Sequence, residues 1–367
     1  MKRILQVIGQ LGRGGDTTVV LDVVRHADPA KYQFDFMTHD HADPDIVTAL
    51  REKGHTVYQL AGDLRKLGFR QYCKTVYEIL KNLEQPYDII HTHTSVQSGV
   101  VLKAAKKAGI PVRICHSHVS ALQRRAGKLQ KLALPYLKSL YLSNATKLVA
   151  CSRMAGDYLY GKHDYILIYN SVDTERFKNV SEEQVMHLRQ SFGLNDQMIL
   201  VGHVANFGDM KNQNYDLDLA EKLQDRPDIH FILVGKGKNL AKIKNQARPF
   251  GGKIIFTGQR SDVQILMKSF DILILPSLPG EGFPVTVIEA QASGLPCLIS
   301  EHVTKESDTG IGLVRQIPLT DQQAWLEAIR TIGRQNDYRK RSEAAVHLRD
   351  NGFGHQQFID SWMKLYV

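Results

Sequence analysis

The sequence predicts an α/β protein of two successive domains, each a parallel sheet flanked by helices. Short apolar runs of strand length alternate with longer stretches of helical periodicity. The alternation closes near Asn170 and restarts near Ile199. A chain of 367 residues, 43% of them hydrophobic, is also large enough to bury two cores.

In the first series, strands are predicted at Arg3 to Ile8, Gln33 to Thr38, His55 to Leu60, Ile89 to His91, Val112 to His116 and Lys147 to Ala150, with Tyr165 to Asn170 closing the unit. The second series comprises Ile199 to Val204, His230 to Gly235, Lys253 to Thr257, Ile272 to Leu275 and Cys297 to Ser300. The polar segment Asp173 to Glu183 reads as the crossing point. Domains of 1–170 and 171–350 follow, with a last segment, 351–367, that places Phe353, Phe358, Trp362 and Leu365 at helical spacing.

Composition narrows the function classes. No segment approaches the roughly 20 apolar residues of a membrane-spanning helix. Met1 to Ile8 reads as a strand rather than a secretory signal, so a cytoplasmic protein is expected. Cys73, Cys115, Cys151 and Cys297 are scattered without a C-x-x-C pair, which suggests neither a disulfide framework nor a zinc site. Charge is uneven: residues 1–170 carry 24 Lys and Arg against 14 Asp and Glu, and the remainder 23 against 24. Much of the basic excess lies in 123–138, where basic and apolar residues interleave. Such a segment can lie on an anionic membrane surface, or Leu129, Leu132 and Leu137 can equally be core. No nucleic-acid module accompanies the basic half, so nucleic acid is not an expected partner.

The most informative stretch is Glu281-Gly-Phe-Pro-Val-Thr-Val-Ile-Glu289. It follows the apolar run Ile272 to Leu275 and opens a helix near Pro284, with proline suited to the first helical position. The helix N-terminus offers free amides and a positive dipole end, which suit a diphosphate. Glu281 then stands in the loop and Glu289 about two turns down the helix. Either is by itself an ordinary surface carboxylate. Gly294-Leu-Pro296 and the strand Cys297 to Ser300 that follow put both at the C-terminal edge of a parallel sheet, where open α/β folds bind ligands.

Glu281-Gly282, Glu289 to Ser300, Gly12 to Gly15, Asp88 to His93, His116-Ser-His118, Lys211-Asn212 and Phe256 to Val263, in this order and spacing, resemble the retaining family 4 glycosyltransferases, in particular their bacterial capsule and exopolysaccharide branch. The resemblance implies the GT-B architecture: two Rossmann-like domains facing one another across a cleft, with a C-terminal helix crossing back to the first. It implies transfer of a hexosyl unit from a nucleotide diphosphate sugar, uridine being the expected base, to a sugar or lipid-linked acceptor hydroxyl. No metal or cofactor is required. Glu281 would hold the donor sugar, Glu289 the ribose hydroxyls, and Lys211 the diphosphate. His118 would line the donor sugar and His93 face the acceptor. Gly235, Lys236, Arg260, Gly282, Phe283, Val285 and Thr286 would surround the nucleotide, and Gly14, Gly15 and Asp16 form a phosphate or acceptor loop. Where the family carries an arginine five residues before the lysine, this chain has Asn206, with Lys236 and Lys238 as candidate replacements.

Other readings remain open at this point. Gly12-Arg-Gly14-Gly15 with Asp35 about 20 residues on partly matches a dinucleotide fingerprint, although Thr17 occupies the third glycine position. The pairs His91/His93 and His116/His118 place imidazoles on one face of an extended segment, without a carboxylate or cysteine to complete a metal site. Asp43-Pro-Asp45 and Asp216-Leu-Asp218 are poorly placed for the Asp-x-Asp of a metal-dependent transferase. A non-catalytic nucleotide-sugar binder and a sugar-nucleotide epimerase of the same fold are the alternatives.

Overall fold

A computed structural model describes residues 1–12, 14–39, 42–121, 128–335 and 344–367. The chain divides into two compact units: Met1–Asn170 with Phe358–Val367, and Ser171–Gln357. The C-terminal helix His355–Leu365 thus belongs mainly to the first unit, while residues 351–357 group with the second.

The first unit holds β1 (Lys2–Ile8), β2 (Tyr32–Thr38), β3 (Val57–Gln59), β4 (Ile89–Thr92), β5 (Val112–Ser117), β6 (Lys147–Ala150) and β7 (Ile166–Leu167) in the order 3-2-1-4-5-6-7. The second holds β8 (Ile199–Val204), β9 (Ile229–Val234), β10 (Ile254–Gly258), β11 (Ile272–Leu275), β12 (Cys297–Ser300) and β13 (Val314–Ile317) in the order 10-9-8-11-12-13. Every strand pair is parallel. These are two Rossmann-like sheets. Strand order reverses between β1 and β4 in one sheet and between β8 and β11 in the other, which marks the binding edge of each.

Burial follows the pleat. Leu5, Val7, Ile90 and Cys115 enter one core with Tyr72, Val76 and Tyr141. Val201, Phe231, Leu233, Ile272 and Ile274 enter the other with Trp325. The strand β13 was absent from the sequence prediction because Val-Arg-Gln-Ile is only half apolar, as an edge strand allows. Asp35, the candidate ribose carboxylate of a dinucleotide site, instead lies within β2. There it accepts from Thr56 N at 2.6 Å and Tyr87 Oη at 2.8 Å and pairs with Arg3 at 3.2 Å, a structural role that removes the dinucleotide reading.

Candidate active site

In the second unit, the loop after β8 carries Lys211 and the loop after β11 carries Glu281, so the reversal of strand order sets them side by side. The Lys211 ammonium donates to Glu281, which also accepts from Ser277 Oγ at 3.1 Å. Asn212, in a left-handed conformation with φ 56°, donates to Pro276 O at 3.0 Å, and Leu278 N donates to Met210 O at 2.7 Å. Two loops 70 residues apart are thereby sewn together around one ion pair. Glu281 is 7% exposed, and a carboxylate so buried needs that partner. An ammonium has three N–H donors, so this bond leaves the charge of Lys211 able to meet phosphate oxygens as well.

The helix Val285–Ala292 begins one residue later than predicted, with Pro284 as its cap rather than its first residue. Thr286 Oγ1 donates to Val204 O at 3.2 Å, fixing the helix start against the end of β8. Gly282 and Phe283 are buried, and the Phe283 ring stacks on Phe353. Val285 is half-buried. Glu289, expected at the ribose, is also half-buried. Burial pushes its carboxyl up to about 7, with the Arg176 charge opposing the shift, so the group titrates at neutral pH. Arg176 lies in the segment the sequence offered only as a crossing point.

Gly235, expected beside the nucleotide, forms a backbone cradle with Gly237. At Gly235, with φ 138°, a Cβ would sit 2.0 Å from Ala205 O, and at Gly237 it would sit 2.7 Å from Phe207 N and O. The strand end therefore runs in backbone contact with the loop 205–207 that holds Asn206, which is exposed. Phe207 N donates to Lys236 O at 2.9 Å, and the Lys236 side chain is exposed. Lys238 pairs with Asp209 at 2.7 Å, so its charge is spent locally. Arg260 is bound to Asp262, with Nε–Oδ1 at 2.8 Å, and its guanidinium stands over Phe192. Its charge is likewise satisfied beside its own strand.

In the first unit, Gly14 caps the helix Gly15–His26. Asp16 accepts from Thr17 N at 2.8 Å, while burial raises its carboxyl above the usual range. Within and just after β4 and β5 the histidines gather. Gln6 pairs in register with His91, and the pleat puts Gln6, His91, His93, His116 and His118 on the face opposite Leu5 and Ile90. The C-terminal helix covers that face: Trp362 is fully buried, its indole stacked on His93, and Tyr366 packs beside Phe34. Burial drives His91, His93 and His116 well below the ordinary imidazole range and His118 down to about 4, so all four rings are neutral. His91, His93 and His116 offer nitrogens within 4.8 Å of one another, the spacing of a possible metal site. Both nitrogens of His91 and of His93 are already in hydrogen bonds, and a metal would have to break them. The candidate Asp-x-Asp pairs have other work. Asp43 caps the helix Pro44–Glu52, and Asp216 holds His203 at 2.6 Å in the second core.

Of the predicted basic stretch 123–138, residues 123–127 lie outside the described part. The rest enters the helix Lys128–Asn144. Leu137 packs on the core, whereas Leu132 is 77% and Tyr136 52% exposed. The side chain of Leu129 lies outside the described residues. Among the described residues, no helix is long and apolar enough to cross a membrane.

The chain is similar to known proteins in sequence and fold. Residues 13–176 match the family "Glycosyltransferase Family 4", and residues 186–346 match "Glycosyl transferases group 1". The chain is 32% identical, over its whole length and 96% of the relative's, to a Bacillus subtilis protein named as a glycosyltransferase, EpsF. It is 24% identical, over 91% of both chains, to the Escherichia coli UDP-Gal:alpha-D-GlcNAc-diphosphoundecaprenol alpha-1,3-galactosyltransferase. Among solved structures, Anabaena HepE in complex with UDP-glucose superposes with a TM-score of 0.78 at 20% identity, covering 100% of this chain and 98% of that one. The chain belongs to the family 4 glycosyltransferases of the GT-B fold.

Proposed function

We propose that this chain transfers a hexosyl unit from a UDP-sugar to a hydroxyl of a lipid-linked saccharide, with retention and without metal or cofactor, in the synthesis of a cell-surface polysaccharide. The observation that carries the reading is the Lys211–Glu281 pair at the second sheet's reversal point, beside the start of the helix bearing Glu289. The Anabaena structures with UDP and UDP-glucose support the nucleotide, and the undecaprenol-linked substrate in the Escherichia coli relative's name supports the acceptor class.

On this reading the second unit, within 171–350, binds the donor. Lys211 and the amides at Val285 and Thr286 stabilise charge on the departing diphosphate. Glu281 holds sugar hydroxyls and steadies positive charge at the anomeric carbon, and Glu289 in its ionised form accepts from the ribose. Gly235, Lys236, Asn206 and the backbone near Arg260 surround the nucleotide. The first unit, 1–170, presents the acceptor through Gly14, Gly15, Asp16 and His93, with His118 at the donor sugar. The anomeric carbon–oxygen bond breaks with its electron pair going to the phosphate. The acceptor oxygen bonds the same face of that carbon, and its proton passes to the leaving phosphate oxygen. The exposed Leu132 and Tyr136 on a basic segment support peripheral contact with an anionic membrane at the cytoplasmic face.

Thermal stabilisation by a panel of nucleotide diphosphates and their sugars, compared with Glu289→Ala, tests the donor site. Selective stabilisation by uridine compounds, lost in the variant, is the expected result. No stabilisation by any compound would favour the non-catalytic alternative, to which Asn206 in place of a cation lends its motive. Interconversion of the sugar without acceptor would mark an epimerase.

A further inference from the structure

The positive excess of residues 1–170 is concentrated in one helical layer. The helices Leu64–Lys81, Ser98–Lys107 and Lys128–Asn144 pack side by side on the face of the first sheet that carries Leu5, Val7 and Ile90. They hold five, three and three Lys and Arg, against the single carboxylate Glu78. That net of +10 equals the whole excess of 24 over 14 in this half. By contrast, the helices Gly15–His26 and Pro44–Glu52 of the same unit hold two Arg against four carboxylates. The outward residues fall in pairs at helical spacing: Arg70 and Lys74, Lys103 and Lys107, Leu132 and Tyr136, all exposed. Phe69 joins the three helices, its ring 5.7 Å from that of Tyr136 and 5.5 Å from the Lys103 ammonium. Lys107 stands 4.2 Å over Tyr77. Arg65 pairs with Asp63 at 2.7 Å, but among the described residues no carboxylate pairs with Arg70, Lys74, Lys103 or Lys107.

An ordinary solvated surface interleaves the two signs, because uncompensated like charges repel and destabilise the compact chain. A layer that keeps this excess around an exposed apolar tip suits a partner that is anionic outside and apolar within. We propose that the three helices together form the face by which the first unit sits on an anionic phospholipid bilayer. Leu132 and Tyr136 enter between headgroups with Phe69 bracing Tyr136, while Arg70, Lys74, Lys103 and Lys107 meet lipid phosphates. This extends the membrane contact of the proposed function from one helix to three, and rests on that reading for the lipid-linked acceptor that such a position would serve. A nucleic-acid backbone would use the cations but leave the aliphatic Leu132, 77% exposed, in water.

Co-sedimentation of the full-length protein with vesicles of phosphatidylcholine, alone or with about 30% phosphatidylglycerol, tests the surface. The wild type binds the anionic vesicles only, and raising salt from about 0.05 to 0.5 M weakens that binding about tenfold. Lys103→Glu combined with Lys107→Glu lowers vesicle affinity by about tenfold or more, while stabilisation by UDP is unchanged. Arg70→Gln combined with Lys74→Gln, on a different helix, shifts affinity in the same direction and gives a second variant should the first fold poorly. Failure of the wild type to bind anionic vesicles would overturn the proposal, as would equal binding to neutral ones or wild-type affinity in a folded Lys103→Glu/Lys107→Glu protein. Release of the protein from vesicles by a single-stranded oligonucleotide at equal phosphate concentration would likewise overturn the choice of partner. Failure of the donor reading shows separately, as absence of stabilisation by any uridine compound, and leaves the vesicle result standing.

Discussion

The two sheets reverse strand order in the same way yet furnish the resulting edge with opposite chemistry. At the second, between β8 and β11, the groups are charged: Lys211 against Glu281, with Glu289 near its titration point. At the first, between β1 and β4 and on to β5, they are four neutral imidazoles, three of them packed against Trp362, hydrogen-bonded in a cluster with Gln6 and Tyr366. The difference teaches that the topology supplies only a place. Charge at the second edge suits a diphosphate whose negative charge grows as the bond breaks. Uncharged donors and acceptors at the first suit sugar hydroxyls, which need direction more than field.

The comparison can be broken most severely by removing what keeps the first edge dry. Trp362→Ala should cost about 3–5 kcal/mol of stability, measured by denaturant unfolding, because a fully buried indole is lost over the histidines. A cost within that of an exposed residue would show that the cluster does not depend on the helix. At the second edge, Glu281→Gln removes charge while keeping shape, and should lower kcat about 10²–10³-fold with the fold intact. Full activity would move the donor sugar away from Glu281.

Gly235→Ala probes the backbone cradle. Its Cβ would collide with Ala205 O at a φ that disfavours L side chains, so a loss of about 1–3 kcal/mol and weakened UDP binding are expected together. An unchanged melting temperature would mean that the loop 205–207 yields freely.

A titration sharpens the contrast further. Glu289, raised to about 7, is largely protonated at pH 6 and ionised at pH 8, so UDP affinity measured by calorimetry should rise about tenfold across that interval. Glu289→Gln should abolish the rise. The sign for stability is opposite: the unfolded carboxyl loses its proton near its ordinary value while the folded one keeps it to about 7, so this group's contribution falls as pH rises through that window. The smallest effect belongs to Leu132→Ser, which should alter stability by less than about 0.5 kcal/mol because the side chain is exposed, yet reduce binding to vesicles containing phosphatidylglycerol. Equal vesicle binding would leave the helix Lys128–Asn144 as an ordinary solvated one.

Much of this molecule was legible in its sequence. Continuous apolar runs such as Ile272–Leu275 and Cys297–Ser300 declare buried parallel strands because burial on both faces leaves no polar alternation, and such runs came within a residue or two of the observed strands. Glu281, Glu289 and Lys211 could be singled out because loop residues that follow such strands fall at one sheet edge. Where local signals are weak, the reading thinned. The half-polar β13 escaped notice, the helix start at Pro284 slipped by one residue, and Arg176 was passed over as part of a crossing segment.

The sequence by itself determined the succession of strands and helices, the division of the chain and the residue types at each sheet edge, because these depend on periodicity and on residues close in the chain. Only the tertiary structure decided which charges meet, which carboxyl titrates at neutral pH and which side chains close over the histidines. Lys211 and Glu281 are 70 residues apart, and Gln6 and Tyr366 are 360. Ion pairing, desolvation and hydrogen-bond direction act over a few ångströms between side chains that only the assembled sheets bring together.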